Sequence, residues 1–279
     1  MVKIIAEIIL ILLIFILLFF NIPTSPISNK FKKDFEKINQ SQSKYTKTKF
    51  DEMDFNTYPL AIQKYMLSNG FIGQDIMTYT YIGYKKVDFV QNNNKKLRIK
   101  QSQYNFSQKP TRIALVESKL MGVPFEGYDY YIDKKGAMIR MLAKVIKLFD
   151  KRGSKIDQDA LTSYLAECLF IPSSLLSCEI SFQEIDHYTV KAIIRDDNKR
   201  ASGIFYFNEI YEMTKFYTTD RYTLNDNGAY SRTPWTFNIG SYQTLEKGIK
   251  FPEHVQICWH YPEGDLIYFD GIISDVVFD

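Results

Sequence analysis

The first feature of the hydrophobic pattern is an apolar stretch near the amino terminus. Residues 4–22 are apolar except for Glu7 and Asn21, and a helix of that length spans the roughly 30 Å hydrocarbon core of a bilayer. The next residues, NIPTSPIS, lack the small-x-small pattern of signal-peptide cleavage and hold no Cys for lipid attachment. We therefore predict an uncleaved transmembrane anchor over residues 1–22.

A polar segment without a clear period follows the anchor. It is rich in Lys, Gln and Ser, a composition typical of linkers, so residues 23–56 are predicted to be a polar tether that includes a little helix. A short helix is expected over residues 59–68, where Ile62, Tyr65 and Met66 share one side before Asn69-Gly70 ends it. Residues 57–279 are then predicted to form a single β-rich domain.

From residue 75 the pattern changes to alternation with period two. Turn signals at 122–124 and 133–136 separate the alternating runs, which predicts an antiparallel meander in the first half of the domain. Residues 137–149 fit either a helix or a strand, and we interpret them as strand because they follow a tight turn within a series of strands.

One helical stripe interrupts the strands. Its apolar members recur at helical spacing and are Ala160, Leu161, Tyr164, Leu165, Cys168 and Leu169. Asp157 or Asp159 is expected to cap the helix, and Pro172 should end it because proline lacks an N–H group.

Further alternating segments after this helix predict a second run of strands. They lie at 179–184, 188–195, 201–208, 212–222, 230–242, 254–260 and 266–277. The predicted fold class is mainly β (α+β). We expect a curved antiparallel sheet or incomplete barrel of about eight or more strands, wrapped on a central helix at 159–170, plus one N-terminal transmembrane helix.

Composition narrows the function classes. The 35 Lys and Arg residues nearly balance 32 Asp and Glu residues, for a net charge of +3, so no nucleic-acid partner is expected. Aromatic residues make up 15% of the chain, which suits half-buried strands. With three cysteines and no metal spacing, free thiols are a better interpretation than a bond between Cys168 and Cys178.

No motif identifies a reaction. The chain contains no P-loop, GxGxxG, HExxH or GxSxG sequence. On a strand, His254, Gln256, Cys258 and His260 would share one face with zinc-ligand chemistry, but neighbouring strands would have to supply further ligands. We interpret this face as a mixed polar surface, and neither a metal nor a cofactor is predicted.

Other polar and aromatic residues have two readings each. Glu167 lies at the edge of the helical stripe and is expected at the rim of the fold, near Arg221 or another cation. Arg221 follows Asp220 and could form a structural ion pair or hold a ligand carboxylate or phosphate. Trp235 and Trp259 could pack in the core or line a pocket.

Scattered positions carry a resemblance to a widespread bacterial family of unknown function, which covers most of the chain from about residue 58. They are Leu161–Glu167, Pro172, Leu175, Leu176, Asp186, Asp220, Arg221, Pro234, Trp235, Pro252, Trp259, Glu263 and Gly264. Phe182 departs from the family pattern, which prefers Trp there, and Tyr211 occupies a turn position usually held by Gly.

The order of elements also resembles the lipoprotein-carrier family, in which an incomplete barrel folds over a helical lid and its concave apolar face holds acyl chains. That resemblance implies a non-enzymatic, membrane-anchored domain that binds a lipid or other hydrophobic ligand. The candidate ligand-binding residues are Tyr164, Leu165, Glu167, Cys168, Arg221, Trp235 and Trp259. The alternatives are an enzyme whose pocket uses Glu167, Arg221 and the Trp residues, and a structural or partner-binding membrane protein.

The sequence says less about the side of the membrane on which the domain lies and about its oligomeric state. The resemblance places the domain outside the cytoplasmic membrane as a single-pass protein. The lysines at 30, 32, 33 and 37 favour the cytoplasmic side, as do the free thiols. The oligomeric state is left open.

Overall fold

The computed structural model describes residues 2–43, 45–91, 95–224 and 228–279. Within these residues a curved antiparallel sheet of thirteen strands wraps around one central helix. The helices are α1 Val2–Asn21, α2 Pro26–Gln40, α3 Leu60–Ser68, α4 Ser154–Ala166 and α5 Ser174–Ser177. The predicted fold class is confirmed.

The strands form two meanders. Those before α4 are β1 Tyr79–Gln91, β2 Lys95–Phe106, β3 Thr111–Leu120, β4 Val123–Ile132, β5 Lys135–Leu142 and β6 Ile146–Arg152. Those after it are β7 Glu179–Asp186, β8 Thr189–Asp196, β9 Lys199–Phe207, β10 Met213–Thr218, β11 Tyr222–Leu224, β12 Tyr230–Arg232, β13 Trp235–Thr244, β14 Lys250–Tyr261 and β15 Gly264–Phe278.

The strand order is β6-β5-β4-β3-β2-β1-β15-β14-β13-β10-β9-β8-β7. The last strand of the chain therefore pairs with the first, and this β1–β15 pairing joins the two meanders. Strands β11 and β12 leave the main sheet as a separate hairpin. The ambiguous residues 137–149 are strand, as interpreted, and a turn at Ala143 and Lys144 divides them between β5 and β6.

Helix α4 is seated between the two meanders. It packs against β5 on one side and β9 on the other, and its apolar stripe lies in the main core. Gly136 allows the close approach to β5, because a Cβ atom there would lie 2.4 Å from the backbone oxygen of Ile156. The helix begins earlier than expected, after Gly153 at φ +112°.

The predicted capping of α4 by Asp157 or Asp159 is wrong. Asp157 instead accepts a hydrogen bond from the backbone N–H of Gly136 at 2.7 Å and forms an ion pair with Lys199 at 2.8 Å. Asp159 accepts the backbone N–H of Tyr222 at 2.8 Å. Both carboxylates therefore tie the helix to neighbouring residues, because the helix begins at Ser154 after Gly153 and both acidic residues lie inside it, past the capping position.

The segment predicted as a tether contains a docked helix. Helix α2 begins with a capping box formed by Ser25 and Ser28 and packs on the outer face of the first meander, where Phe31 is buried. The Phe35 ring stacks on Tyr104 with 4.2 Å between centroids. Lysine-rich spacing hid the apolar side of α2, which is longer than the little helix expected here, and the division into domains stays a prediction.

Candidate functional site

A cavity of about 700 Å³ opens on the concave side of the sheet, between α4 and the strands. The β11–β12 hairpin contributes to one wall through Tyr222, Leu224 and Tyr230. Its aromatic lining consists of Tyr84, Phe89, Tyr130, Tyr131, Phe149, Tyr222, Tyr230, Trp235, Phe237, Trp259, Tyr261, Tyr268 and Phe269. The volume falls within the range of small-molecule sites, roughly 300–1,000 Å³.

Glu167 lies at the end of α4 and forms the first polar cluster of the cavity. Its carboxylate accepts hydrogen bonds from Gln103 Nε2 at 2.7 Å, Asn105 Nδ2 at 3.0 Å and Arg112 Nε at 2.9 Å. The side chain is 4% exposed. The expected position at the rim is therefore wrong, and the cation beside Glu167 is Arg112, not Arg221.

A second buried arginine in the cavity is also neutralised. Arg140 forms a two-pronged ion pair with Asp129, with 2.9 Å between Arg140 Nη2 and Asp129 Oδ2. The Arg140 side chain is 5% exposed. Such paired geometry fixes both side chains and leaves little charge for a ligand.

Arg221 differs from these two arginines. Its guanidinium carbon lies 4.4 Å from the ring centroid of Trp235 and 5.2 Å from that of Trp259. The Nε atom is buried and has no hydrogen-bond partner. Arg112 and Arg140 each form an ion pair with a carboxylate. Among the described residues, no carboxylate forms an ion pair with Arg221. The residue itself is 8% exposed.

The surrounding contacts hold Arg221 and the Trp rings in place. The carboxylate of Asp220 turns away and accepts hydrogen bonds from Ser202 N at 2.9 Å and Ser202 Oγ at 2.6 Å. Trp235 Nε1 donates to the Tyr268 hydroxyl at 3.1 Å, and the Trp259 ring stacks on Tyr268. The indole N–H of Trp235 is thus satisfied within the wall, and the faces of both tryptophan rings contact the cation.

The acidic side chain of Asp159 interacts electrostatically with Arg221. Burial raises the pKa of Asp159 to about 6, although the positive charge of Arg221 and the N–H of Tyr222 act in the opposite direction. Asp159 is 9% exposed and lines the same cavity. The cavity therefore favours the neutral form of this carboxyl near neutral pH more than water does.

The structure brings together only part of the predicted site. Glu167, Arg221, Trp235 and Trp259 line the cavity, and whether they bind a ligand stays a prediction. Tyr164, Leu165 and Cys168 are not in the lining: they are fully buried in the main core. The Tyr164 hydroxyl donates to the backbone oxygen of Phe106 at 2.7 Å. All three cysteines are free.

Sequence reasoning missed the partners of Glu167. Arg112, Gln103 and Asn105 reach it from β2 and β3. One signal was present in β2, where alternate positions change from apolar Ile99 to the amides Gln101 and Gln103. A buried amide on an otherwise apolar face requires a polar partner, which the helix supplies.

The histidines of β14 lie outside the cavity. His254 Nε2 is 2.6 Å from Asp270 Oδ1, and His260 Nδ1 is 2.7 Å from Asp265 Oδ1. The ligand atoms of Cys258, His260 and Asp265 lie within 4.8 Å of one another. The other ring nitrogen of His260 bonds to Thr236 Oγ1 at 3.0 Å, so both nitrogens have protein partners.

Comparison with known proteins gives a family and two distant structural neighbours. Residues 48–271 match the "Family of unknown function (DUF6544)". No curated protein matches the chain. A domain titled a putative outer membrane lipoprotein-sorting protein from Vibrio parahaemolyticus is similar with TM-score 0.41 and 12% identity, covering 72% of this chain and 85% of that one.

The second neighbour is a DUF1329 family protein from Desulfovibrio piger ATCC 29098. It has TM-score 0.42 and 10% identity, and the match covers 80% of this chain and 94% of that chain. The predicted resemblance to a family of unknown function is confirmed by the family match.

Proposed function

This chain belongs to the family of unknown function DUF6544, and we propose that it is a membrane-anchored, non-enzymatic protein whose concave cavity binds a lipid or other hydrophobic ligand. The observation that supports the proposal is the cavity of about 700 Å³ with an aromatic wall and a helix floor. A concave cavity of this size that combines an aromatic lining with buried polar groups is typical of ligand sites.

The polar groups favour binding over acid–base catalysis. Glu167 receives four nitrogen contacts, three on Oε2 and one, from Arg112 Nη2 at 3.3 Å, on Oε1, and its side chain is 4% exposed. A general base needs a free lone pair within reach of the proton that it takes. Glu167 is better placed to hold β2, β3 and α4 together than to react with a substrate.

Helix α1 supplies the proposed membrane attachment. It is apolar, entirely unburied, and long enough to cross a membrane by length and composition. We keep the uncleaved anchor and the extracytoplasmic side as predictions. Protease digestion of intact and permeabilised cells would decide the side, because only an outward domain is cut before permeabilisation.

Lipid mass spectrometry on the full-length chain tests the binding function. The protein is purified in mild detergent, and the lipid that co-purifies is measured per mole of protein. Ser163 lines the cavity and is half-buried, so Ser163→Phe fills space and should deplete the lipid. Ser181→Phe adds the same bulk at an exposed position of β7 and should leave it unchanged. Equal lipid in both variants, or none in the parent, contradicts the proposal.

A further inference from the structure

Three arginines reach the cavity, and only one lacks a protein anion among the described residues. Arg112 pairs with Glu167, and Arg140 pairs with Asp129. Arg221 has aromatic faces beside it and a buried Nε with no hydrogen-bond partner. A buried charge without a partner is costly. A bound molecule that carries an anionic group would supply the partner that Arg221 lacks among the described residues.

Contacts of neighbouring residues fix the position of Arg221. Asp220, directly before it, is occupied by Ser202 and by Arg232 Nη1 at 3.1 Å. The backbone oxygen of Arg221 accepts the N–H of Thr233 at 3.0 Å. The main chain is therefore fixed on both sides, while the guanidinium lies over the Trp235 and Trp259 rings. Stacking on two rings orients a guanidinium without neutralising its charge.

We propose that Arg221 binds the anionic head of an amphiphile, a carboxylate or a phosphate ester, while the aromatic wall holds the hydrocarbon chain. This inference rests on the proposed function and names its ligand class. Guanidinium groups suit both anions because their N–H groups form parallel hydrogen bonds with two oxygens. Asp159 lines the same cavity, and its negative charge opposes an anionic head, so Asp159→Asn strengthens binding of the anion.

Competition binding tests the head-group preference. Delipidated full-length protein in non-ionic detergent is loaded with dansyl-undecanoic acid, which is displaced by palmitate, hexadecyl phosphate or hexadecanol. We expect the two anions to bind about tenfold more tightly than hexadecanol, as one charge-assisted pair would give. The more effective of the two anions identifies a carboxylate or a phosphoryl head.

Arg221→Gln should remove the preference for anions and leave hexadecanol binding as in the parent, which also shows that the cavity is intact. Arg98→Gln removes an exposed arginine of β2 that pairs with Asp88 and should change nothing. Binding of both palmitate and hexadecyl phosphate by the parent no tighter than that of hexadecanol overturns the Arg221 inference but not the binding function. Failure of all the ligands and of the probe to bind overturns the proposed function itself.

A separate observation concerns the strand ends beside α1. Exposed apolar side chains occupy the tips of the β3–β4 and β5–β6 hairpins, and we call them the hairpin rim: Leu120, Met121, Val145, Ile146 and Leu148. Met121 is 98% exposed. The two tips touch through the N–H of Ala143, which donates to the backbone oxygen of Pro124 at 2.7 Å.

The hairpin rim is continuous with the predicted anchor. Lys144, in the β5–β6 turn, donates to the backbone oxygens of Phe19 at 3.2 Å and of Thr24 at 3.4 Å, at the end of α1. Exposed Lys119 and Lys147 flank the rim, and lysines at such positions reach lipid phosphates. Leu148 also lines the cavity. We infer that the hairpin rim lies in the bilayer interface and opens the cavity towards lipid.

Fluorescence quenching tests this contact. The full-length variant Met121→Trp is placed in vesicles of phosphatidylcholine and phosphatidylglycerol that contain brominated phosphatidylcholine. We expect quenching beyond that of the parent, whose two Trp residues give the background. Leu67→Trp, at an exposed apolar position of α3, should match the parent. Quenching of Met121→Trp no greater than that of Leu67→Trp overturns the inference.

Discussion

Two arginines of the cavity have different surroundings. Arg112 is surrounded by Glu167 and the amide of Gln103, whose Oε1 accepts from Arg112 Nη2 at 2.6 Å. Arg221 lies against the Trp235 and Trp259 faces and forms no ion pair with the described residues. The charge of Arg112 is therefore balanced by a protein carboxylate, whereas that of Arg221 has no ion-pair partner among the described residues.

This difference separates scaffold from binding site. The Arg112 cluster joins β2, β3 and the end of α4, so it contributes to the seat of the central helix. Arg221 belongs to the segment between β10 and β11, and among the described residues its side chain contacts β13 and β14 through the Trp235 and Trp259 faces without forming an ion pair. The comparison predicts large stability effects at the first arginine and small ones at the second.

Breaking the Arg112 pair should have the largest effect. Glu167→Gln leaves the buried guanidinium without its counter-ion, so we expect a loss of about 3 kcal/mol in the free energy of unfolding. Urea denaturation of the full-length chain in mild detergent measures it. Adding Arg112→Met to this variant should recover part of the loss because the unpaired charge is removed. A loss below about 1 kcal/mol would show that the pair is not structural.

Asp159→Asn tests whether Asp159 is the hidden partner of Arg221. Because burial raises the pKa of Asp159 from 3.8 to about 6, the folded state holds its proton more tightly than the unfolded state does. The parent therefore loses stability as the pH rises from about 4 through about 6. At pH 8 the variant should be more stable by about 3 kcal/mol, and the difference should vanish near pH 4.

Unfolding curves of both proteins between pH 4 and pH 8 measure this difference. The Asn side chain can still accept the N–H of Tyr222, so the hydrogen bond of the carboxyl is not the variable. A variant less stable than the parent at pH 8 would mean that Asp159 neutralises Arg221, and the contrast between the two arginines would fail.

Arg221→Leu should change stability little. The stacked cation contributes about 1–2 kcal/mol when desolvated, but its removal also relieves a buried charge without an ion-pair partner. We expect a net change within about 1 kcal/mol by urea denaturation of the ligand-free chain. A loss of unfolding free energy as large as that of Glu167→Gln would show that Arg221 has a protein partner and a structural role.

The smallest effect is expected at Arg232. Its ion pair with Asp220 is exposed on the arginine side, which is 59% accessible, and Asp220 keeps both hydrogen bonds to Ser202. Arg232→Gln should therefore cost less than about 0.5 kcal/mol. The same denaturation measurement provides the baseline for an exposed arginine beside the site, and a larger loss would show that Asp220 needs this cation to hold the turn.

The sequence determined the class and order of elements. Period-two runs on both sides of one helical stripe were enough to predict the antiparallel sheet and its central helix, because alternation and helical spacing are local patterns. The same local reasoning identified Arg221 and the two Trp residues as candidates. It also located the apolar α1, whose length is a property of the sequence alone.

Tertiary structure decided the partners. Glu167 meets Arg112, Gln103 and Asn105 only because β2 and β3 cross the end of α4, and no spacing along the chain encodes that crossing. Tyr164, Leu165 and Cys168 lie in the core, which the sequence also did not show. A helical stripe indicates which side of a helix is apolar, but not whether that side contacts the sheet or the cavity. Pairing depends on three-dimensional distance, and so the one cavity arginine without an ion pair among the described residues could be recognised only in the folded chain.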